Sequence, residues 1–250
     1  GAAALAAAER MHDRVWLPLA LAIRSVHFSS WGEWQSAREL GDRGLALAPR
    51  HPSVLSSRIL LEYELGDFEQ GEVFLERLMD VMRLAAPGNI LPPSMIVWVI
   101  PVATRTTGAS ERFEVVEAAA EAALSSPSAT PDSLVSARAG LALIAVQPAD
   151  TAVALEQYAA LQLLQGFPVR GSNMSTGRLL GLLAQTMGNL NQAMSHFDDA
   201  LAFSRKAGYG PELAWTCCDY ADMLRDRMLR VTEPKLYPFW TNPWPSPASW

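Results

Sequence analysis

Apolar and polar residues follow one another along most of this chain with the period of an α-helix, and short polar turns separate the periodic segments. Three of the turns share one pattern, in which an apolar segment ends on glycine, a polar residue follows, and an apolar residue comes next. These turns are Gly32-Glu33-Trp34, Gly66-Asp67-Phe68 and Gly188-Asn189-Leu190. Glycine is typical of a helix end and a polar residue of the next N-cap, so the pattern predicts pairs of helices joined by tight turns.

The turns recur at a nearly constant spacing along the chain. Gly32 and Gly66 are 34 residues apart, Gly66 and Gly108 are 42 apart, and Pro148 and Gly188 follow at intervals of 40. Periods of 34 to about 45 residues are typical of stacked helical hairpins. We therefore predict an all-α fold, a right-handed superhelical α-solenoid of stacked antiparallel helix pairs. Such arrays commonly present binding surfaces rather than reaction centres.

The predicted elements divide the chain into a solenoid over residues 1–230 and an irregular tail over residues 231–250. The solenoid begins with a partial repeat at 1–14 and ends with a single helix at 211–227. Five helix pairs lie between them, at about residues 15–49, 53–86, 94–125, 131–164 and 173–208. Pro101 falls inside the first helix of the third pair, and we expect a kink there.

One repeat shows the pattern most completely. The segment from Gly177 to Gly208 has a Leu-Gly pair in its first helix, a turn glycine, and three apolar positions in its second helix: Leu180, Gly181, Gly188, Ala193, Phe197 and Ala200. It resembles the tetratricopeptide repeat, as does the Ala-Leu-Ala-Pro sequence that ends at Pro49. Small residues five positions after the turn glycine, such as Ala37 and Gly71, would let paired helices approach closely.

The longer middle repeats resemble those of bacterial signalling ATPases, including LuxR/MalT-type ATP-dependent transcriptional regulators. In that family the repeats lie between a nucleotide-binding ATPase module and a C-terminal helix-turn-helix. The resemblance implies a regulatory module that binds a protein, a peptide or a small effector on its concave face and passes the bound state to flanking domains of the parent chain. Two alternatives stay open: the regulatory segment of an enzyme such as a nucleotide cyclase or kinase, and a free-standing repeat scaffold.

Five arginines are candidate ligand-binding residues on the concave face. Arg24 and Arg58 each lie eight residues before their turn glycine, Arg138 and Arg178 lie ten before the fourth and fifth turns, and Arg105 belongs to the first helix between them. First helices line the concave face of such solenoids. A row of guanidinium groups there could clamp a carboxylate or a phosphate. The alternative is that these arginines only keep otherwise apolar helices soluble.

The chain contains none of the short motifs that carry catalytic or metal chemistry. A phosphate-binding GxxxxGK[ST] loop, a GxSxG elbow, an HExxH helix and a CxxC pair are all missing from the sequence. We therefore predict no catalytic residues, no metal site, no cofactor and no enzymatic activity. The acid pairs Asp198-Asp199 and Glu62/Glu64 lie on helix faces that we predict to be exposed.

Charge and hydropathy narrow the choice of partners and compartment. The net charge is −6, and nearly all positive charge is arginine without a basic stripe, which argues against direct nucleic-acid contact. The longest apolar run, Met95 to Ala103, is far shorter than the roughly 20 residues that span a bilayer. Adjacent Cys217 and Cys218 are expected to be buried free thiols in a reducing cytoplasm. Because the chain starts without methionine, we expect an internal fragment of a soluble cytoplasmic protein.

The tail at 231–250 differs from everything before it. It holds five of the 17 prolines and three of the eight tryptophans, a composition that forbids a helix. A shifted reading frame permits a helical segment in which seven of 20 positions match the segment that begins at Gly188. We therefore hypothesise that the tail is a frameshifted repeat helix. The alternative is a genuine Pro/Trp-rich binding segment of polyproline type.

Overall fold

The structure of the chain is a computed structural model that describes residues 2–11, 16–86, 89, 91–108, 110–164, 169, 172 and 174–232. Regular structure within these residues is helical. The helices are α1 Ala2–Met11, α2 Trp16–Trp31, α3 Trp34–Leu47, α4 Pro52–Leu65, α5 Phe68–Arg83, α6 Leu91–Thr107, α7 Phe113–Ser125, α8 Pro131–Val146, α9 Thr151–Leu161, α10 Thr176–Thr186, α11 Leu190–Ala207 and α12 Gly210–Thr232, with a short 3-10 helix at Gln162–Leu164. The all-α prediction is confirmed.

The helices from α2 to α11 form five consecutive pairs, and each pair packs internally. The first helix of each pair also packs on the first helix of the next one, in the order α2, α4, α6, α8 and α10. The outer bounds of the observed pairs lie within three residues of the predicted ones. In contrast, α12 continues to residue 232, beyond the predicted end at 227. Helix α6 is continuous through Pro101.

The turns inside the pairs share one hydrogen-bonded geometry. Gly32, Gly66 and Gly188 have φ values of 78°, 77° and 78°, in the left-handed region that favours glycine. The next residue donates its N–H to the carbonyl five positions earlier, as Asp67 does to Glu62 at 2.9 Å. We predicted Pro148 at the equivalent place in the fourth pair, and this was wrong by one residue. Ala149 has φ 59°, and Asp150 donates to the Ala145 carbonyl at 2.9 Å.

Polar residues at the turns begin the following helices. The Asp150 side chain accepts hydrogen bonds from the amides of Ala152 and Val153, and the Asp67 side chain accepts one from Gln70. Thr130 and Ser133 form a reciprocal capping box in front of α8. Each cap satisfies amides that a helix N-terminus leaves unbonded, which typically contributes about 1 kcal/mol. The starts of α5, α8 and α9 are therefore determined by residues next to them in the sequence.

Small residues mark the places where helices approach most closely. A Cβ atom added at Gly140 would lie 2.0 Å from the carbonyl oxygen of Val97, so α8 and α6 are in backbone contact there. A Cβ at Gly71 would lie 2.7 Å from the Tyr63 ring, and one at Gly181 would lie 2.9 Å from the Phe197 ring. At Gly140 the obstacle is backbone, whereas at Gly71 and Gly181 an aromatic ring would have to shift to admit a Cβ atom.

Two apolar clusters hold most of the buried apolar residues between α4 and α12. One joins helices α4 to α8 around the fully buried Trp98. The other joins α8 to α12 around Phe197, whose ring stacks on Tyr220 with centroids 5.4 Å apart. Val102 contacts both clusters and so joins them. Burying a large apolar side chain stabilises the fold by roughly 1.5–3 kcal/mol.

Helix α12 has no following helix within the described residues, yet one of its faces is buried. Residues 233–250, and with them most of the predicted tail, lie outside the described residues. The prediction of buried thiols was wrong, because Cys217 and Cys218 are both exposed on the outer face of α12. Among the described residues, no helix has the length and apolar character required to cross a membrane.

Candidate functional site

Helix α12 lies against several helices that are far from it in the chain. It packs on α11 and α10, and it also contacts α2. Pro211 at its start lies 4.0 Å from the position that a Cβ on Gly32 would occupy. Trp215 donates its indole N–H to both carboxylate oxygens of Glu64 in α4, at 2.9 and 3.1 Å. The helix therefore covers a surface to which α2, α4, α6 and α10 all contribute.

Buried ion pairs hold α12 on this surface. Arg178 in α10 donates to Glu212 at 2.9 Å and to Asp219 at 2.6 Å, and Arg105 in α6 donates to Asp219 at 2.7 Å. The side chains of Arg178, Glu212 and Asp219 are only 5, 2 and 8% exposed. We call Arg105, Arg178, Glu212 and Asp219 the α12 cluster. Charges buried this deeply are costly unless paired, and docking of α12 brings both of its buried acids to a guanidinium group.

Burial changes the protonation behaviour of the α12 cluster. Burial raises the pKa of the Glu212 carboxyl, and the nearby Arg178 guanidinium and the donors of Ser175 oppose that change. Burial also lowers the pKa of Arg105, which the charge of Asp219 opposes and the charge of Arg178 reinforces. Arg105 therefore shares its one carboxylate with a second guanidinium and is less fully paired than Arg178.

A partly enclosed cavity of about 50 Å³ lies beside the α12 cluster. Its apolar wall consists of Leu60, Val102, Met174, Pro211 and Trp215. Its polar wall consists of Glu64, Arg105, Thr106, Ser172, Arg178 and Glu212. Apolar walls with a few convergent polar groups are typical of small-molecule sites.

Glu64 is the least compensated charge at the cavity. Within the described part of the chain, its carboxylate accepts hydrogen bonds from Trp215 and makes no ion pair. Burial raises the pKa of Glu64, while the Trp215 hydrogen bond and the charge of Arg178 lower it. The Arg178 guanidinium lies 5.4 Å from the centre of the Trp215 ring. A carboxylate and an arginine with spare bonding capacity, Glu64 and Arg105, therefore line one cavity.

The candidate Arg58 lies in a second buried ion cluster. It donates to Glu62 at 2.6 Å, which is one helical turn away, and it also pairs with Asp42 in α3. Glu62 also forms an ion pair with Arg38. We call Arg38, Asp42, Arg58 and Glu62 the α4 cluster. The prediction of an exposed Glu62 was wrong, because its side chain is 0% exposed between the two guanidinium groups.

Arg24 and Arg138 lie in different surroundings. The guanidinium of Arg24 lies 4.3 Å from the centre of the Phe28 ring and 5.6 Å from that of Trp31, in cation–π contact on α2. Arg138 donates to Gln157 at 3.3 Å and lies 3.7 Å from Glu156 in α9. Of the five candidates, the structure brings together Arg105 and Arg178, which meet at Asp219.

Helix geometry explains why the five arginines do not share one face. Successive α-helical residues are rotated by about 100°. Arg58 and Arg178 lie eight and ten residues before their turns. The difference of two residues is a rotation of about 200°, so their side chains point in nearly opposite directions from their helices. Arg105 and Arg178 lie three and ten residues before theirs, and seven residues bring a side chain back to nearly the same direction. Arg138 lies 11 residues before Ala149, the observed turn residue of its pair, so it points about 100° away from Arg178. A role for the five residues in binding a ligand stays a prediction.

Sequence reasoning missed the acidic partners on α12. Glu212, Thr216, Asp219 and Met223 are all buried and recur at intervals of three or four residues. This spacing defines one helix face. Two acids on an otherwise buried face are a detectable signal, because such charges need partners of opposite sign. The mixed polarity of that face, rather than any motif, was the signal that could have identified this surface.

In three comparisons, no family model, no curated protein and no solved structure matches the chain. Within the residues that the structure describes, no group of three or more His, Cys, Asp or Glu side chains is placed to hold a metal ion.

Proposed function

We propose that this chain is a tetratricopeptide-like regulatory module that binds a protein segment or a small effector. The module belongs to a larger bacterial signalling protein of the LuxR/MalT-type regulator class. Its stacked pairs form a right-handed superhelix, with the first helices on the concave side. Support comes from the pairwise helix order, the contacts between successive first helices, and the glycine-type turns.

The observation that carries the proposal is the position of α12. Surfaces contributed by α4, α6 and α10 already hold a helix. Its Trp215 indole donates to Glu64, and its Asp219 carboxylate accepts from Arg105 and Arg178. A partner helix with similar shape and acidic residues would bind this surface in place of α12. Partner recognition by this module therefore uses paired arginines and a helical ligand.

A complementation experiment tests the binding role. The chain shortened to end at Tyr209 is mixed with a labelled peptide of residues 210–232, and affinity is measured by fluorescence anisotropy. We expect binding, with a rise in the melting temperature of the shortened chain. A control peptide with Glu212→Gln and Asp219→Asn should bind at least about tenfold more weakly, because Arg178 loses both partners. A folded shortened chain that binds neither peptide, or both equally, contradicts the proposal.

The parent protein is tested at the level of DNA. The encoding gene is sequenced from about codon 205 to well beyond codon 250. A missing or extra base near codon 230, followed by an open frame that encodes a helix-turn-helix, supports both the frameshift and the regulator class. An intact frame without a helix-turn-helix removes the LuxR/MalT-type assignment and leaves the binding role to the complementation experiment.

A further inference from the structure

The cavity between α4, α6, α10 and α12 has the features of a site for a small ligand with two charges. Two of its lining groups are incompletely bonded within the described residues. Arg105 donates only through Nη2, to Asp219. Glu64 accepts only the indole N–H of Trp215. The remaining nitrogens of the guanidinium and the remaining lone pairs of the carboxylate are available to a ligand.

The charges of the surrounding groups favour a ligand with both signs. In the α12 cluster, two guanidinium groups face two carboxylates, so their formal charges cancel. Glu64 stands beside this cluster as an additional negative charge that an ammonium group would neutralise. Arg105 shares Asp219 with Arg178, so a ligand carboxylate would complete its bonding. A simple amine or a simple carboxylate would satisfy only one of these two groups.

The volume limits the size of the ligand. A cavity needs about 10–15 Å³ to hold one water molecule. The volume of about 50 Å³ therefore has room for roughly four water molecules. Five or six non-hydrogen atoms fill a similar space. Leu60, Val102 and Met174 supply an apolar wall that suits a hydrogen or a methyl group rather than a further charge.

We propose that this cavity binds a small zwitterion, an α-amino acid of the size of glycine or alanine, with its ammonium group on Glu64 and its carboxylate on Arg105. The inference rests on the proposed function, since it gives the effector a chemical class. Because α12 supplies Trp215 and Glu212 to the wall, a bound amino acid contacts both α12 and the helices that α12 covers. The ligand therefore stabilises the docked position of α12.

The test is isothermal titration of the full chain with glycine and with L-alanine, up to about 10 mM. Ligands of this size seldom bind more tightly than micromolar, so this range covers the expected affinities. Ethylamine and acetate are titrated in parallel as probes that carry one charge each. We expect at least one amino acid to bind, and both single-charge probes to bind at least about tenfold more weakly.

Three variants locate the binding. Glu64→Gln keeps an oxygen that can accept from Trp215 but removes the charge, and Arg105→Gln removes the guanidinium. Each should weaken binding of the amino acid at least about tenfold. Glu114→Gln changes an exposed acid on α7 and should leave it unchanged. Thermal melting of every variant verifies that it is folded, and Glu64→Gln keeps the test decisive if Arg105→Gln unfolds.

Several results would overturn the proposal. They are a folded wild-type chain that binds neither amino acid, an amine that binds as tightly as glycine, or an unchanged affinity in Glu64→Gln. None of them affects the peptide experiment, which uses a different ligand. Loss of amino-acid binding with intact peptide binding therefore removes only the zwitterion site, whereas loss of peptide binding removes the broader proposal.

Discussion

The α4 cluster and the α12 cluster are two solutions to the same problem, a buried arginine that holds two acids. In the α4 cluster, the partners of Arg58 are four and 16 residues away, so one helix and its neighbour complete the arrangement. In the α12 cluster, the partners of Arg178 are 34 and 41 residues away, and Asp219 reaches Arg105 over 114 residues. The first cluster joins the consecutive helices α3 and α4, whereas the second joins the last helix to helices that are far from it in the chain.

The two clusters also differ in how strongly they depend on one arginine. Glu62 has guanidinium groups on two sides, from Arg38 and Arg58, and Asp42 is 64% exposed to water. Glu212 is nearly inaccessible, and its single ion pair within the described residues is with Arg178. Loss of Arg58 therefore leaves Glu62 paired with Arg38, whereas loss of Arg178 leaves Glu212 without a cation.

The largest expected effect is that of Arg178→Met. This change leaves Glu212 without its cation in a site that water barely reaches, so we expect a loss of about 3–5 kcal/mol in the free energy of unfolding. Urea denaturation measures the loss. Hydrogen exchange should show faster exchange of the α12 amides, with those of α4 unaffected. Uniform loosening of all helices would contradict a specific role of the α12 cluster in docking.

Arg58→Met is the matched change in the other cluster. Because Glu62 keeps Arg38 and Asp42 is hydrated, we expect a smaller loss of roughly 1–3 kcal/mol in the same urea experiment. Faster amide exchange should be confined to α3 and α4. A loss equal to that of Arg178→Met would remove the difference between the two clusters.

The pH dependence of stability should distinguish the α12 region. Because burial raises the pKa of Glu64 in the folded chain above its unfolded value, Glu64 destabilises the folded state increasingly as the pH rises through the folded pKa. Below the unfolded pKa the carboxyl is protonated in both states, so the difference in stability between wild type and Glu64→Gln should not change with pH. Above it, the variant should become the more stable one, with a slope of at most about 1.4 kcal/mol per pH unit.

Urea denaturation of both proteins between about pH 4 and pH 8 measures this difference directly. Subtracting the two curves removes the contributions of all other titrating groups. A difference that is flat with pH, or that favours wild type at high pH, would show that Glu64 is better compensated than its surroundings indicate.

The smallest expected effect is a stabilising one, at a turn far from both clusters in the chain. Ala149 has φ 59°, which costs a residue with a Cβ about 1–2 kcal/mol. Ala149→Gly removes this strain, while the greater freedom of glycine in the unfolded chain offsets part of the gain. We expect a net gain of about 0.5–1 kcal/mol and a melting temperature about 2 °C higher by calorimetry. A lower melting temperature would contradict the turn geometry.

The contrast between the clusters also shows what kind of residue pattern is readable in sequence. Helix bounds, caps and turns depend on hydrogen bonds that span at most five residues. The turn at Gly66-Asp67 and its equivalents can therefore be predicted from the sequence alone. The Ala149 turn was misplaced by one residue because no glycine marks it. The burial of Glu62 was missed because its second cation, Arg38, lies on another helix.

By itself the sequence determined the all-α class, the pairing of helices and the small residues at their crossings, because these depend on neighbouring residues and on helical periodicity. Only the tertiary structure decided that α12 reaches back to α2, α4 and α6, and that Arg105 and Arg178 meet at Asp219. The direction of each side chain depends on how its helix is rotated in the packed array. That rotation results from all the packing contacts together, so no single stretch of sequence contains it.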